Sequence, residues 1–449
     1  MNLHHLLKQR AENNRPVGVA LIGAGKFATM FLTQARLTTG LHIVGIAELE
    51  VARGQAACLL AGWPAEQISA QNLDDAAKEK TTYITEDVDA LIAHSAVEVV
   101  IDATGNPHAG VAHCLKAISN GKHIVMVNVE ADALAGPLLA RKAQQAGVVY
   151  SLAWGDQPAL ICEHVDWARA CGFTVTCAGK GTRYLPRYHE LTPDTVWDTL
   201  KIYLEVDEDS DINPKMFNSF LDGTKSSIEM TAVCNATGLT PQSDGLSFPP
   251  ASRFELADTF KPQNKGGTLS HSGTTEVASS LFRDGTDVPA HLVMGTFVVI
   301  EGETEYAREC FKQYHMLPDE SHHYAALYRP THMIGMELGI SVAAAACRNE
   351  ATGAPIYFNS DVVSTAKRDL KAGEILDGEG GFMVWGKQTP AAASIEAGGL
   401  PLGLASGIRL KNDIAKGRQL TWQDVEIDEK DTTVIFRREM EAAFALPNT

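Results

Sequence analysis

The stretch Val17-Gly18-Val19-Ala20-Leu21-Ile22-Gly23-Ala24-Gly25-Lys26-Phe27-Ala28 decides the fold. Its first half is a short aliphatic run that reads as a buried strand, and the residues from Lys26 to Leu37 read as a helix. The G-x-G-x-x-A turn between them has a physical use. Gly23 permits the tight turn, Gly25 lets the backbone approach a pyrophosphate, and Ala28 packs helix against strand. The diphosphate then rests on N–H groups at the helix N-terminus, where Lys26 and Phe27 begin the first turn. Glu48 stands twenty residues beyond Ala28, at the end of a second strand, His42–Ala47. An acidic side chain there accepts hydrogen bonds from the adenosine ribose. The expected cofactor is NAD or NADP. The Glu48 carboxylate, with Glu50 behind it, repels a 2′-phosphate and favours NAD; Arg53 or Lys26 reaching that phosphate is the alternative.

Outward from this turn, strands and helices alternate as far as about Ser151. Val97–Ala103, His123–Val127 and Val148–Leu152 read as strands, separated by the helices His108–Ser119 and Ala131–Gln145. Such alternation requires crossover connections and gives a doubly wound parallel Rossmann sheet, placed at residues 15–152. In an open parallel sheet the carboxyl ends of the strands line the ligand crevice. Three loops fall there. They carry Thr104 and Gly105, then Asn128 and Glu130, then Gly155 and Asp156. Thr104, Gly105, Asn128 and Gly155 are candidate cofactor contacts, Glu130 a candidate catalytic group and Asp156 a candidate substrate contact. Asn128 and Glu130 read equally as loop caps.

Composition bounds the partners. The 449 residues carry a formal net charge of −17, with 45% hydrophobic and 21% charged residues. A field of that sign repels nucleic acid and anionic membranes, leaving a small-molecule substrate as the expected partner. No apolar run is long enough to span a bilayer, and Met1 to Asn14 reads as a short surface helix without a signal-peptide core. The eight cysteines form no CxxC pair, and the histidines show no ligand spacing. The expectation is a cytoplasmic chain with reduced thiols and no structural metal; a divalent ion assisting the substrate stays open.

Residues 153–350 mix β-rich pieces (Phe173–Ala178, His291–Glu301) with helices (Asp222–Asn235, Ile334–Cys347), an α+β substrate domain. Three constellations there carry chemistry. Ala178-Gly179-Lys180-Gly181-Thr182-Arg183 ends a β run, and with Arg187 it gathers positive charge. Lys180, also a catalytic candidate, and Arg183 are candidates for holding an anionic substrate group; for Arg183 and Arg187 the alternative is surface charges that balance Glu205–Asp211. Asp222, as the N-cap of a helix, would share one face with Lys225 and Glu229; a lysine between two carboxylates can pass a proton to a carbonyl oxygen. The alternative is an exposed salt-bridge ladder. Arg329 and His332 flank a turn before Glu337 and either bind substrate or cap a helix. Residues 355–445 form a small β-rich module with an internal repeat, Arg368–Leu376 echoed by Asn412–Leu420. Because it lies outside the Rossmann sheet, a chain ending near Ala351 is expected to keep the dinucleotide site.

Together Val17–Ala28, Ile101–Gly105, Gly121–Asp132, Tyr150–Pro158, Ala178–Gly181, Asp222–Leu239 and Arg329–His332 resemble the type II 1-deoxy-D-xylulose 5-phosphate reductoisomerases, a reductoisomerase-like family related to homoserine dehydrogenase. The strings GKHIVMVNVEAD, AGKG and DGTKSSIEMTAVCNATGL carry the likeness. The C-terminal repeat resembles a SAF domain, a small β-clip module. The resemblance implies a nicotinamide-dependent carbonyl reduction, with rearrangement of the sugar phosphate, and a homodimer formed through the middle domain. It aligns Lys225 with the family's active-site lysine and sets Asn128, Glu130, Asp156 and Lys180 in crevice loops. Glu48, Glu50, His271 and the stretch Arg283–Ala290 depart from the family pattern. They leave open a sugar-acid or polyol dehydrogenase without rearrangement, or a non-catalytic dinucleotide or sugar sensor.

Overall fold

The computed structural model describes residues 2–203 and 213–445 and divides into two compact units. One comprises Met1–Leu160 with His332–Ile356, the other Ile161–Thr331 with Tyr357–Thr449. The acidic run Glu205–Asp211 lies outside the described residues.

The first unit holds six parallel strands: β1 (Val17–Ile22), β2 (Leu41–Ala47), β3 (Tyr83–Thr85), β4 (Val99–Asp102), β5 (His123–Met126) and β6 (Tyr150–Leu152). Their order, β3-β2-β1-β4-β5-β6, is that of a doubly wound dinucleotide fold. β1 is buried at every position, as a central parallel strand covered on both faces must be. Two terminal helices complete this core. Leu3 and Leu7 of Leu3–Glu12 are buried in it, as are Val342, Ala343 and Ala344 of Gly339–Arg348, beside Val19, Leu21 and Phe31. Sequence order set the second of these helices in the middle domain. Its run of small apolar residues packs instead against the Rossmann core.

In the second unit β7 (Thr174–Thr182), β8 (Thr274–Ser279), β9 (Thr296–Glu301) and β10 (Tyr324–Arg329) make a mixed sheet in the order β10-β9-β7-β8. β7 does not stop at Ala178. Gly179 and Gly181 lie inside the strand because a Cβ on either would sit 1.8 Å from a carbonyl oxygen, that of Glu276 or Leu292. The glycines of this stretch admit close strand approach and make no turn.

The helix Thr224–Thr237, here the central helix, is buried on almost every side. It starts after Gly223 in a left-handed conformation, φ +88°, so Asp222 is the last residue before the turn rather than the helix cap. The C-terminal residues supply β11 (Ser360–Ala366), β12 (Ile375–Asp377), β13 (Val384–Pro390), β14 (Ser406–Leu410) and β15 (Val425–Glu426), in two small antiparallel sheets. The repeat is a pseudo-twofold. Leu370 and Ile414 exchange backbone hydrogen bonds of 2.8 and 2.9 Å. The Asp413 carboxylate accepts from Ala372 N–H as the Asp369 carboxylate accepts from Lys416 N–H. This module belongs to the second unit. Asn235 Oδ1 accepts from the amides of Asn359 and Ser360, and Thr224 Oγ1 accepts from Gly386 N–H.

Candidate functional site

The nucleotide cradle is built where β1 ends. Gly23 takes φ +91°, and a Cβ there would come within 2.9 Å of the Ala103 carbonyl oxygen. Gly25 precedes the helix Lys26–Ala35, whose first turn carries no side-chain cap. The space beside it is open; the nearest atom to a Cβ at Gly25 would be Arg53 Nη2, at 3.8 Å. An uncapped helix N-terminus reached through glycine fits a diphosphate, so these residues fit a dinucleotide. Ala28 is fully buried, Phe27 packs on the Rossmann core, and Lys26 is exposed. Glu48 is half-buried. It accepts hydrogen bonds from Ala24 N–H at 2.7 Å and Leu49 N–H at 2.9 Å, which fixes its carboxylate at the turn.

The other crevice loops of this unit are tied together. Asn128 caps the helix Val129–Gln145 through Ala131 N–H, and its Nδ2 donates to Asp102, Thr104 Oγ1 and the Asn106 carbonyl. Its side chain therefore shapes the loop. Thr104 donates to buried Asp102, Gly105 is open with φ +64°, and half-buried Glu130 lies in the first turn of the following helix. Asp102, missed in the sequence because it ends an apolar strand, gathers this network and binds His113 Nδ1 at 2.6 Å. Gly155 takes φ +91° against Glu337, and buried Asp156 accepts from Gln157 N–H.

In the second unit Lys180 and Glu229 form a salt bridge whose side chains are 5% and 3% exposed. Asp222, Lys225 and Glu229 do not share one charged face. Asp222 is buried, and its Oδ2 lies 2.8 Å from Lys367 Nζ, an ion pair set by distance rather than hydrogen-bond angle. Lys367 donates further to the Leu191 and Gly381 carbonyls. Half-buried Lys225 stands one turn before Glu229. Lys367 gave no sequence signal because it lies far along the chain in the repeat module. Behind Asp222, the His189 Nδ1–H donates to its carbonyl at 2.6 Å, and Tyr184 OH meets His189 Nε2 at 2.8 Å. Burial pushes this imidazole below its usual pKa and the Tyr184 phenol up to about 12. Stacking on Trp385 at 3.8 Å holds the ring.

Lys180 and Arg183 do not cluster. Lys180 lies within β7 and pairs with buried Glu229, whereas Arg183 lies just past the strand's end and pairs with Asp287 at 2.5 Å. Arg329 ends β10, whereas His332 opens the return of the chain to the first unit. Arg329 lies instead on the row of Lys180: β9 pairs Thr296 with Lys180 on one side and with Arg329 on the other. His164 Nε2 lies 3.1 Å from Thr296 Oγ1. Neither residue was legible in the sequence, because strand register brings Thr296 to this row and packing of the helix Gln157–Ala170 brings His164 to Thr296.

Three family models match successive parts of the chain. Residues 23–152 match the homoserine dehydrogenase NAD-binding domain, residues 155–338 the catalytic domain of oxidoreductase DRL, and residues 362–426 the SAF domain. Among curated protein sequences there is no match. Solved structures similar to the chain include a Paenisporosarcina dihydrodipicolinate reductase bound to dipicolinate, 11% identical over 74% of this chain and 95% of that one, TM-score 0.34. A Lactobacillus casei scyllo-inositol dehydrogenase with NAD(H) and scyllo-inositol is 12% identical over 64% and 74%, TM-score 0.34. A Synechocystis biliverdin reductase with biliverdin and NADP+ is 18% identical over 38% of this chain and 48% of that one, TM-score 0.26. Likeness at that level carries no argument about substrate. The family models make the chain an NAD(P)-dependent oxidoreductase with a homoserine dehydrogenase-type nucleotide domain. Among the described residues no helix is long and apolar enough to cross a membrane.

Proposed function

We propose that the chain interconverts a hydroxyl and a carbonyl group on a small polyhydroxylated substrate bearing a phosphate or carboxylate. The buried Lys180–Glu229 pair carries this reading. Burying two charges costs several kcal/mol per ion unless the geometry returns it, and a lysine held so is suited to handing over a proton. Lys180 donates a proton to the substrate oxygen in reduction and withdraws it in oxidation, while Glu229 fixes the ammonium and balances its charge. Lys225, Asp222 and Glu130 remain in the proposed catalytic set, Asp222 as a positioning group. Asp156, Arg183, Arg329 and His332 are the proposed substrate contacts. The nicotinamide, when bound, supplies or accepts the hydride. The resemblance supports a reductoisomerase-like reaction on 1-deoxy-D-xylulose 5-phosphate, in a cytoplasmic homodimer. A plain sugar-acid or polyol dehydrogenase is the second reading, favoured by the Glu48 carboxylate at the Gly-rich turn, which suits NAD and catabolic oxidation.

Absorbance of NADH and NADPH across a panel of sugar phosphates and sugar acids tests the reading. Turnover on one of them is expected. Lys180→Met should then lower kcat by roughly 10²–10⁴ with nicotinamide affinity unchanged, and Lys225→Met shows which lysine moves the proton. Dinucleotide binding without turnover on any member would favour the sensor reading.

A further inference from the structure

Resting on that reading, strand register makes a second feature of the same unit informative. Thr296 lies directly opposite Lys180 across β7 and β9, and opposite Arg329 across β9 and β10. Directly opposed residues share a sheet face. Their neighbours in alternation, Ala178, Val298 and Leu327, lie with Met230 of the central helix and Val165 of the helix Gln157–Ala170 around one apolar core. Lys180, Thr296 and Arg329 thus form a polar row at the end of an apolar face. Its outer members are two strand spacings apart, roughly 9–10 Å between Cα atoms. Lys180 and Thr296 each have a side chain against them. Glu229 meets Lys180, and His164 meets Thr296 at 3.1 Å. Burial, and then the charge of Arg329, lower the His164 pKa to about 4, so the imidazole is neutral at neutral pH.

We propose that His164, Thr296 and Arg329 form a subsite for an oxyanion, carboxylate or phosphate, at the end of the substrate remote from the oxygen that Lys180 and Glu229 serve. Arg329 contributes the charge and the planar fork that matches an oxyanion. His164 and Thr296 share one hydrogen bond and keep one donor. Where Nε2 accepts from the threonine, Nδ1–H remains to donate; where Nε2–H donates, the threonine hydroxyl remains. Either arrangement offers a donor to an anion without a second cation beside Arg329. The row therefore selects a short polyol chain with one acidic end and disfavours neutral polyols.

Calorimetric titration of the full chain, saturated with NADH, with inorganic phosphate and with malonate tests the subsite. One of the two should bind saturably, phosphate marking a phosphoester end and malonate a carboxylate end. Arg329→Gln and His164→Leu should weaken that binding at least tenfold. His164→Asn, which keeps a hydrogen-bonding side chain, should recover most of it, and exposed Lys265→Gln should leave it unchanged. If neither anion binds the wild type, or both row variants bind as the wild type does, the subsite is overturned. NADH fluorescence in the same samples reads the dinucleotide proposal separately, so NADH binding without anion binding removes the subsite alone.

Discussion

Glu48 anchors the Ala24 amide of the glycine turn, and it is the carboxylate we propose to meet the ribose hydroxyls. Its charge opposes a 2′-phosphate, while Arg53, near Gly25, is the cation that would offset it. Wild type should bind NADH more tightly than NADPH by fluorescence titration, and Glu48→Ser should narrow the gap. A tenfold preference of the wild type for NADPH, about 1.4 kcal/mol, would reverse the assignment. Asp132 makes a different prediction. It is fully buried, its Oδ1 accepts from Tyr150 OH at 2.8 Å, and burial raises its pKa to about 7. The folded state therefore holds a proton that the unfolded chain releases near pH 4. Stability from this group is complete below that pH and is lost as pH rises through about 7, by up to ~4 kcal/mol. Half-buried His42, His123 and His189, whose pKa values desolvation lowers, act in the opposite sense and lose stability below pH 6.5. Chemical denaturation at pH 5 and pH 8 should show Asp132→Asn gaining on the wild type at the higher pH. An unchanged difference between the two pH values would show that Asp132 is ionised without penalty in the fold.

At the scale of elements, legibility followed the range of the interaction. The Rossmann strands and the glycine turn were readable because their signals are local: an aliphatic run, a turn chemistry and an acidic residue at fixed spacing. β3 escaped because three residues show no period. The AGKG stretch reads as the end of a β run because glycine signals both turns and close strand approach, and only the carbonyls of Glu276 and Leu292 show that the strand continues through it. The partner of Asp222 was misassigned for a related reason: helical spacing proposes Lys225, but Lys367 arrives from a distant strand module. Gly181→Ala tests the strand reading. A methyl group 1.8 Å from the Leu292 oxygen must push β7 from its neighbour, so the variant should lose at least about 3 kcal/mol, the upper end for overpacking. A loss below about 1 kcal/mol by chemical denaturation of Gly181→Ala would show that the strand is not held this close to the Leu292 carbonyl.

For the whole molecule, the C-terminal repeat behaves as part of the second unit's core rather than as an appended bead. It supplies Lys367 to Asp222, the Ser360 amide to Asn235, and the Gly386 amide to Thr224, all on buried side chains at or near the central helix. A chain ending at Ile356 keeps every strand of β1–β6 and the helix Gly339–Arg348, so NADH binding should persist. The second unit should fail. Removing Lys367 leaves a carboxylate buried without its cation, a loss of 3–5 kcal/mol by itself, and the hydrogen bonds of Thr224 and Asn235 lose their partners as well, each a further ~1–3 kcal/mol. These losses together rival the net stability of a domain, about 5–15 kcal/mol. Limited proteolysis should therefore cut the truncated chain within 161–331 while sparing residues before Leu160, and NADH fluorescence should remain. Protection of 161–331 equal to that of the full chain would show the repeat to be separable, and the proposed role of Lys367 in holding Asp222 would fall with it.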